Sequence, residues 1–176
     1  GEILIPGESR AFAVADHQLA HIYVANPSDI PSVRNTLNAA PGVAAVVDPG
    51  DLELDHPRSG ELIALAEPNA WFTYYYWLED RLAPDFAATV DIHRKPGYDP
   101  CELFMTSKIR AIRKLIRKKI GLRYSMDVIP LDASLVKGSH GLTPSDEEGP
   151  LVIGPGDPPE KMTQFKGYVE RLLAGN

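Results

Sequence analysis

A single cysteine, Cys101, occurs in 176 residues, so no disulfide can form within the chain and nothing marks an oxidising compartment. No apolar run approaches the roughly 18 residues that a membrane-crossing helix requires. Residues 1–10 lack the basic start and apolar stretch of a signal peptide, and the expected address is therefore cytoplasmic. There is no GxGxxG, no phosphate-binding P-loop and no CxxC pair, which removes dinucleotide, Walker-type nucleotide and structural zinc readings. Internal repeats and low-complexity stretches are absent as well. One stretch is strongly basic: residues 108–123 contain eight basic side chains and no carboxylate. The net charge is −6, so removing the +8 of that stretch leaves −14 on the remainder. The chain is an acidic body carrying one basic segment.

Hydrophobic residues make up 44% of the chain, and 14 glycines with 16 prolines punctuate it, a balance that fits a globular, loop-rich protein. Its length suits one core or one compact domain with a smaller appendage. Residues 11–15 (AFAVA) and 19–24 (LAHIYV) read as a hairpin around Asp16-His17-Gln18. Asn26-Pro27-Ser28-Asp29 offers a turn and cap, and Ile30, Val33 and Leu37 recur at helical spacing before Pro41-Gly42. Residues 43–47 (VAAVV) form a buried strand, so strand, helix and strand follow one another as in a ferredoxin-like or split βαβ unit. Residues 61–67 (ELIALAE) predict another strand. Residues 71–77 (WFTYYYW) place six aromatics among seven positions, either as a wide strand capping the core or as a face for a partner. The spacing predicts a helix over 107–120 with Ile109, Ile112, Leu115, Ile116 and Ile120 on one stripe and the cations on the other. A return strand is expected at 151–153 and a closing helix over 163–174.

The candidate chemistry lies on loops. In Lys137-Gly138-Ser139-His140-Gly141 two glycines surround one imidazole, leaving the backbone free to bring the ring against a small target, as a metal ligand requires. Ten residues after the histidine comes Pro150-Leu151-Val152-Ile153-Gly154-Pro155. A second loop, Asp91 to Pro100, offers His93, Arg94 as a bidentate phosphate donor, Lys95 as a point charge and Tyr98 as a hydroxyl. For His93 a metal role, a substrate or polar role and a purely structural role all stay open. Asp16-His17 follows an apolar strand; His21 alternates within a strand and His56 precedes a proline.

Residues 58–67 (RSGELIALAE) and 138–155 together resemble the alkaline phosphatase superfamily, in particular its type I phosphodiesterase and nucleotide pyrophosphatase branch. The resemblance implies an α/β, alkaline-phosphatase-like fold of which this chain is the C-terminal portion, including an α+β ferredoxin-like cap subdomain. Residues 1–100 would form that cap, and residues 101–176 the basic helix, the metal-ligand loop and the last strand and helix of the core. It further implies a two-metal zinc centre to which His140 supplies one ligand, and in-line attack on phosphorus by a metal-activated threonine or serine. That nucleophile and most ligands would belong to a missing N-terminal half, the expected partner. No catalytic residue is assigned here, and the chain alone is expected to be inactive. His93, Arg94 and Tyr98 are the expected contacts to a phosphoester substrate. The superfamily uses an adjacent Asp-His metal pair followed by glycine; here Gln18 follows, and a plain hairpin turn is the simpler reading of Asp16-His17.

The alternative is a stand-alone α+β binding or dimerisation module, with a homo-oligomer formed through the aromatic run. The basic helix is expected to be a solvated face docked on an acidic neighbour. Anionic lipid, nucleic acid or an inter-domain contact are its alternatives, and neither nucleic acid nor a membrane surface is the expected partner.

Overall fold

The computed structural model describes residues 2, 3, 5, 7–90 and 99–175. Two compact units divide the chain, Gly1–Leu142 and Thr143–Asn176.

The first unit is built on a hairpin. Strand β1 (Ala11–Asp16) pairs antiparallel with β2 (Leu19–Val24), and only His17 and Gln18 separate them. Along β2 every second residue is buried, so Ala20, Ile22 and Val24 form one inward face. The Asn26 side chain accepts the Ser28 N–H at 3.0 Å and turns the chain into helix α1 (Ile30–Asn38). Ile30, Val33 and Leu37 of α1 then cover Ala20, Ile22, Val24, Val46, Leu62 and Ala64. Strand β3 (Val43–Val47) follows, and β4 (Leu62–Ala66) completes a sheet of order β1-β2-β4-β3. Since β2 and β3 each run antiparallel to β4, they are parallel to one another with β4 between them. That is a split βαβ arrangement within a mixed α/β unit. Arg34 on α1 reinforces it by donating to the Val46 carbonyl at 2.7 Å and pairing with Asp48.

Strand β4 is covered on both faces, and Leu62 and Ile63 are wholly buried. Its approach is tight: a Cβ at Gly60 would lie 2.5 Å from the Ile22 carbonyl oxygen, a space only glycine fits.

The aromatic run is not a strand. Residues 71–77 are irregular and divide their rings among three clusters: Phe72 packs on the sheet core, Trp71 on Cys101, Val128 and Ile129, and Tyr74 to Trp77 on one another. Tyr74 meets Trp77 edge-on with centroids 5.7 Å apart, Tyr75 stacks on Trp77 at 4.9 Å, and both Tyr74 and Trp77 are buried beside Ala87. Their polar tips are accommodated, with Tyr74 O–H donating to the Ala87 carbonyl at 3.2 Å and Trp77 Nε1 to Asp80 at 3.0 Å. Residues 74–77 make a satellite core of their own.

Helix α2 (Lys108–Lys119) begins at Ser107, whose hydroxyl accepts from the Arg110 N–H. It docks through Ala111 against Cys101, Val128 and Ile129, with Arg110 and Lys114 both paired to Asp127. The isoleucine stripe read from the sequence is not the face that docks.

In the second unit, α3 (Phe165–Leu173) buries Tyr168, whose hydroxyl donates to the Pro155 carbonyl at 3.1 Å. The strand expected at 151–153 does not form, and Leu151 and Ile153 are exposed. Prolines at 150 and 155 bound the run and remove donors that a ladder needs. Among the described residues no helix is long and apolar enough to cross a membrane.

Candidate metal centre

The hairpin tip carries the first two residues of the site. Asp16 closes β1, and His17 turns the chain with a φ of 59°, a left-handed conformation that costs a non-glycine residue about 1–2 kcal/mol. Three hydrogen bonds hold the turn in place. Phe72 N–H donates to the His17 carbonyl at 2.6 Å, Ala66 N–H to the Gln18 carbonyl at 2.9 Å, and Gln18 N–H to the His140 carbonyl at 2.9 Å. The Gln18 side chain adds bonds to the carbonyls of Pro68 and Ala70.

The last of the three backbone bonds brings a distant loop to the hairpin. Gly141 makes that approach feasible: its φ is 113°, and a Cβ there would lie 2.9 Å from Leu19 N. Gly138, by contrast, has open space around it, so only one of the two glycines is demanded by the geometry.

Three donor side chains converge as a result. His140 Nε2 lies 3.0 Å from Asp16 Oδ1, and the His17 and His140 rings have centroids 4.1 Å apart. Potential ligand atoms of Asp16, His17 and His140 all fall within 4.8 Å of one another. His17 Nδ1 shares a hydrogen bond of 2.9 Å with Ser139 Oγ, and its ring lies 6.2 Å from that of Trp71. His17 is buried, whereas Asp16 and His140 are about two-thirds exposed, so the cluster has a closed back and an open front.

The donor set fits a divalent cation. Two imidazoles and a carboxylate are ligands that zinc and similar ions accept at about 2.0–2.2 Å, so one ion can bridge groups this close after small side-chain adjustments. Metal ligation needs neutral imidazole. Burial pushes the His17 pKa below its ordinary value, the nearby His140 lowers it further, and Asp16 opposes both. His17 is thus kept in the form that coordinates.

Of the residues singled out from sequence, His140 sits in this cluster, while His93, Arg94 and Tyr98 lie outside the described residues. His21 and His56 are elsewhere: His21 Nδ1 accepts the Gly60 N–H at 3.2 Å and His56 Nδ1 the Arg58 N–H at 3.1 Å. Asp16-His17 proves to be a hairpin turn and a partner of His140 at once. Gln18 in place of glycine weakened the pair as a signal, yet the positive φ falls on His17, so the next position has no need of glycine. Ser139 was not foreseen as a partner of His17; its place one residue before His140 was the available cue.

A model of the type I phosphodiesterase / nucleotide pyrophosphatase family matches residues 1–99. The match takes in Asp16, His17 and residues 58–67, whereas His140 and the second resembling segment fall beyond it. Comparisons with curated proteins and with solved structures return no match. With more than half its length covered, the chain belongs to the type I phosphodiesterase / nucleotide pyrophosphatase family.

Proposed function

We propose that this chain supplies one side of the metal centre of a phosphohydrolase of the phosphodiesterase or nucleotide pyrophosphatase type, with Asp16, His17 and His140 as zinc ligands. The observation that carries this reading is the meeting of Asp16 with His140, 124 residues further along, at 3.0 Å. A chance pair of exposed side chains has no reason to be reinforced by a backbone bond and by a histidine buried behind it.

In this reading each residue has a distinct task. His17 forms the rigid back of the site. Ser139 orients it, because a serine accepting the Nδ1 proton leaves the lone pair on Nε2. Asp16 and His140 are the movable front: their mutual hydrogen bond holds both side chains near the ion's place, and His140 would bind through whichever ring nitrogen does not carry the proton. Bound zinc would polarise the phosphoryl oxygens and offset the charge that develops during in-line displacement. His93, Arg94 and Tyr98, within six consecutive residues, are the proposed contacts to the phosphoester. None of the three ligands is an alcohol nucleophile. We assign that group, and the ligands of a second ion, to an N-terminal half of the same enzyme, and we expect the present residues not to turn over substrate alone.

Calorimetric titration of the metal-free protein with zinc tests the assignment. Binding at a 1:1 ratio that is lost in Asp16→Asn and in His140→Ala is expected. Equal affinity in wild type and both variants would remove the site.

A further inference from the structure

Helix α2 carries the second feature that the fold leaves without a task. Ile109, Ile112, Ile116 and Ile120 recur at spacings of three and four, which places them along one face at about 100° per residue. All four are exposed, between 54% and 72%. The helix is anchored by its other side, through buried Ala111 and the ion pairs of Arg110 and Lys114 with Asp127. Projected around the axis at the same angle, Lys108 and Lys119 border the isoleucine stripe on one edge, with Arg113 and Arg117 on the other. No carboxylate occurs between residues 108 and 123, so nothing within the segment neutralises those borders.

We propose that this face of α2 lies on an anionic lipid surface, with the isoleucines in the acyl boundary and the bordering cations at the headgroups. An apolar stripe framed on both edges by long cationic side chains matches a layer that is apolar within and negative outside, and the aliphatic stems let the charged ends reach the headgroups while the isoleucines go deeper. Nucleic acid would satisfy the cations and leave four isoleucines in water. The −14 on the remainder of the chain opposes any other face on a negative surface, which selects α2 as the point of contact. The inference is independent of the metal centre, since no residue of α2 belongs to it.

Flotation of the whole chain with phosphatidylcholine vesicles containing about a third phosphatidylserine tests it. The protein should float with these at low salt, remain behind with pure phosphatidylcholine, and be released as salt rises. The double variant Ile112→Ser/Ile116→Ser should weaken flotation roughly tenfold or more while its circular dichroism is unchanged. Both side chains are exposed, so the fold does not depend on them. Absence of flotation at low salt overturns the proposal, as does flotation that the double variant leaves intact. A lipid-free dimer that the double variant dissolves assigns the stripe to a second copy. Salt-sensitive binding to duplex DNA without flotation assigns the cations to nucleic acid. Either result overturns the lipid assignment.

Discussion

The carbonyl of His140 accepts the N–H of Gln18 at 2.9 Å, so the two parts of the candidate metal centre are joined through main chain before any side chain is considered. The ligands are therefore preorganised, and an ion would not have to gather them from separate conformations.

Removing the front ligands should leave the fold intact and weaken zinc. Asp16 and His140 are exposed, so Asp16→Asn and His140→Ala should keep the thermal midpoint of the metal-free protein and lower zinc affinity by more than about 100-fold. Competition against a chromogenic chelator reads both effects in one sample.

Ser139 offers a finer test. Loss of its bond to His17 Nδ1 in Ser139→Ala should weaken zinc about 10–100-fold, and Ser139→Thr should restore most of it by returning a hydroxyl. Nitrogen-15 shifts of the His17 ring separate an orienting role from a merely structural one, since only the former changes the tautomer.

Two glycines should behave differently when given a methyl group. Gly60→Ala would force a Cβ to within 2.5 Å of the Ile22 carbonyl in the sheet, and a loss of about 1–3 kcal/mol or more in urea denaturation is expected. Gly141→Ala meets both a φ of 113° and a 2.9 Å approach to Leu19 N, so it should displace the His140 loop and reduce zinc affinity.

The pH dependence of stability should carry the mark of His17. Burial lowers its folded-state pKa below the ordinary 6.5, so the unfolded chain binds the proton more readily than the native one. This contribution is complete above about 6.5 and declines as pH falls from there towards the depressed folded value. Urea midpoints of the metal-free protein between neutral and mildly acidic pH should show that decline, and His17→Gln should flatten it.

Hydrolysis supplies the last prediction. With zinc saturating, the 176-residue chain should release no p-nitrophenol from p-nitrophenyl phosphodiesters above the zinc-only rate. Robust turnover abolished by Asp16→Asn would show that these residues already contain a complete active site.

Much of the first unit was legible because its signals are local. Alternation marked β2, the 30-33-37 spacing marked α1, and the apolar stripe from Ile109 to Ile120 marked α2 within a residue or two. Where local signals misled, packing decided. Six aromatics suggested a strand, yet Tyr74, Tyr75 and Trp77 satisfy one another and need no ladder. The 151–153 run suggested a strand, yet Pro150 and Pro155 allow no donor on either side of it, so a ladder could not extend beyond residues 151–154. The stripe on α2 was visible in the sequence, but which face would dock depended on Asp127 beyond the helix. At the metal centre the sequence marked His140 and left Asp16-His17 ambiguous. Contact across 124 residues has no local signature, and the left-handed turn falls on a histidine where glycine would have announced it.

One consequence follows from where the hairpin tip meets the distant loop. An ion gripped there would close a circuit of 124 residues in a chain whose single cysteine forbids a sulfur bridge, and so would act as a removable clasp that shrinks the freedom of the denatured polymer. Chelation would then be felt as lost heat resistance across the whole first unit, well beyond the three side chains that let go.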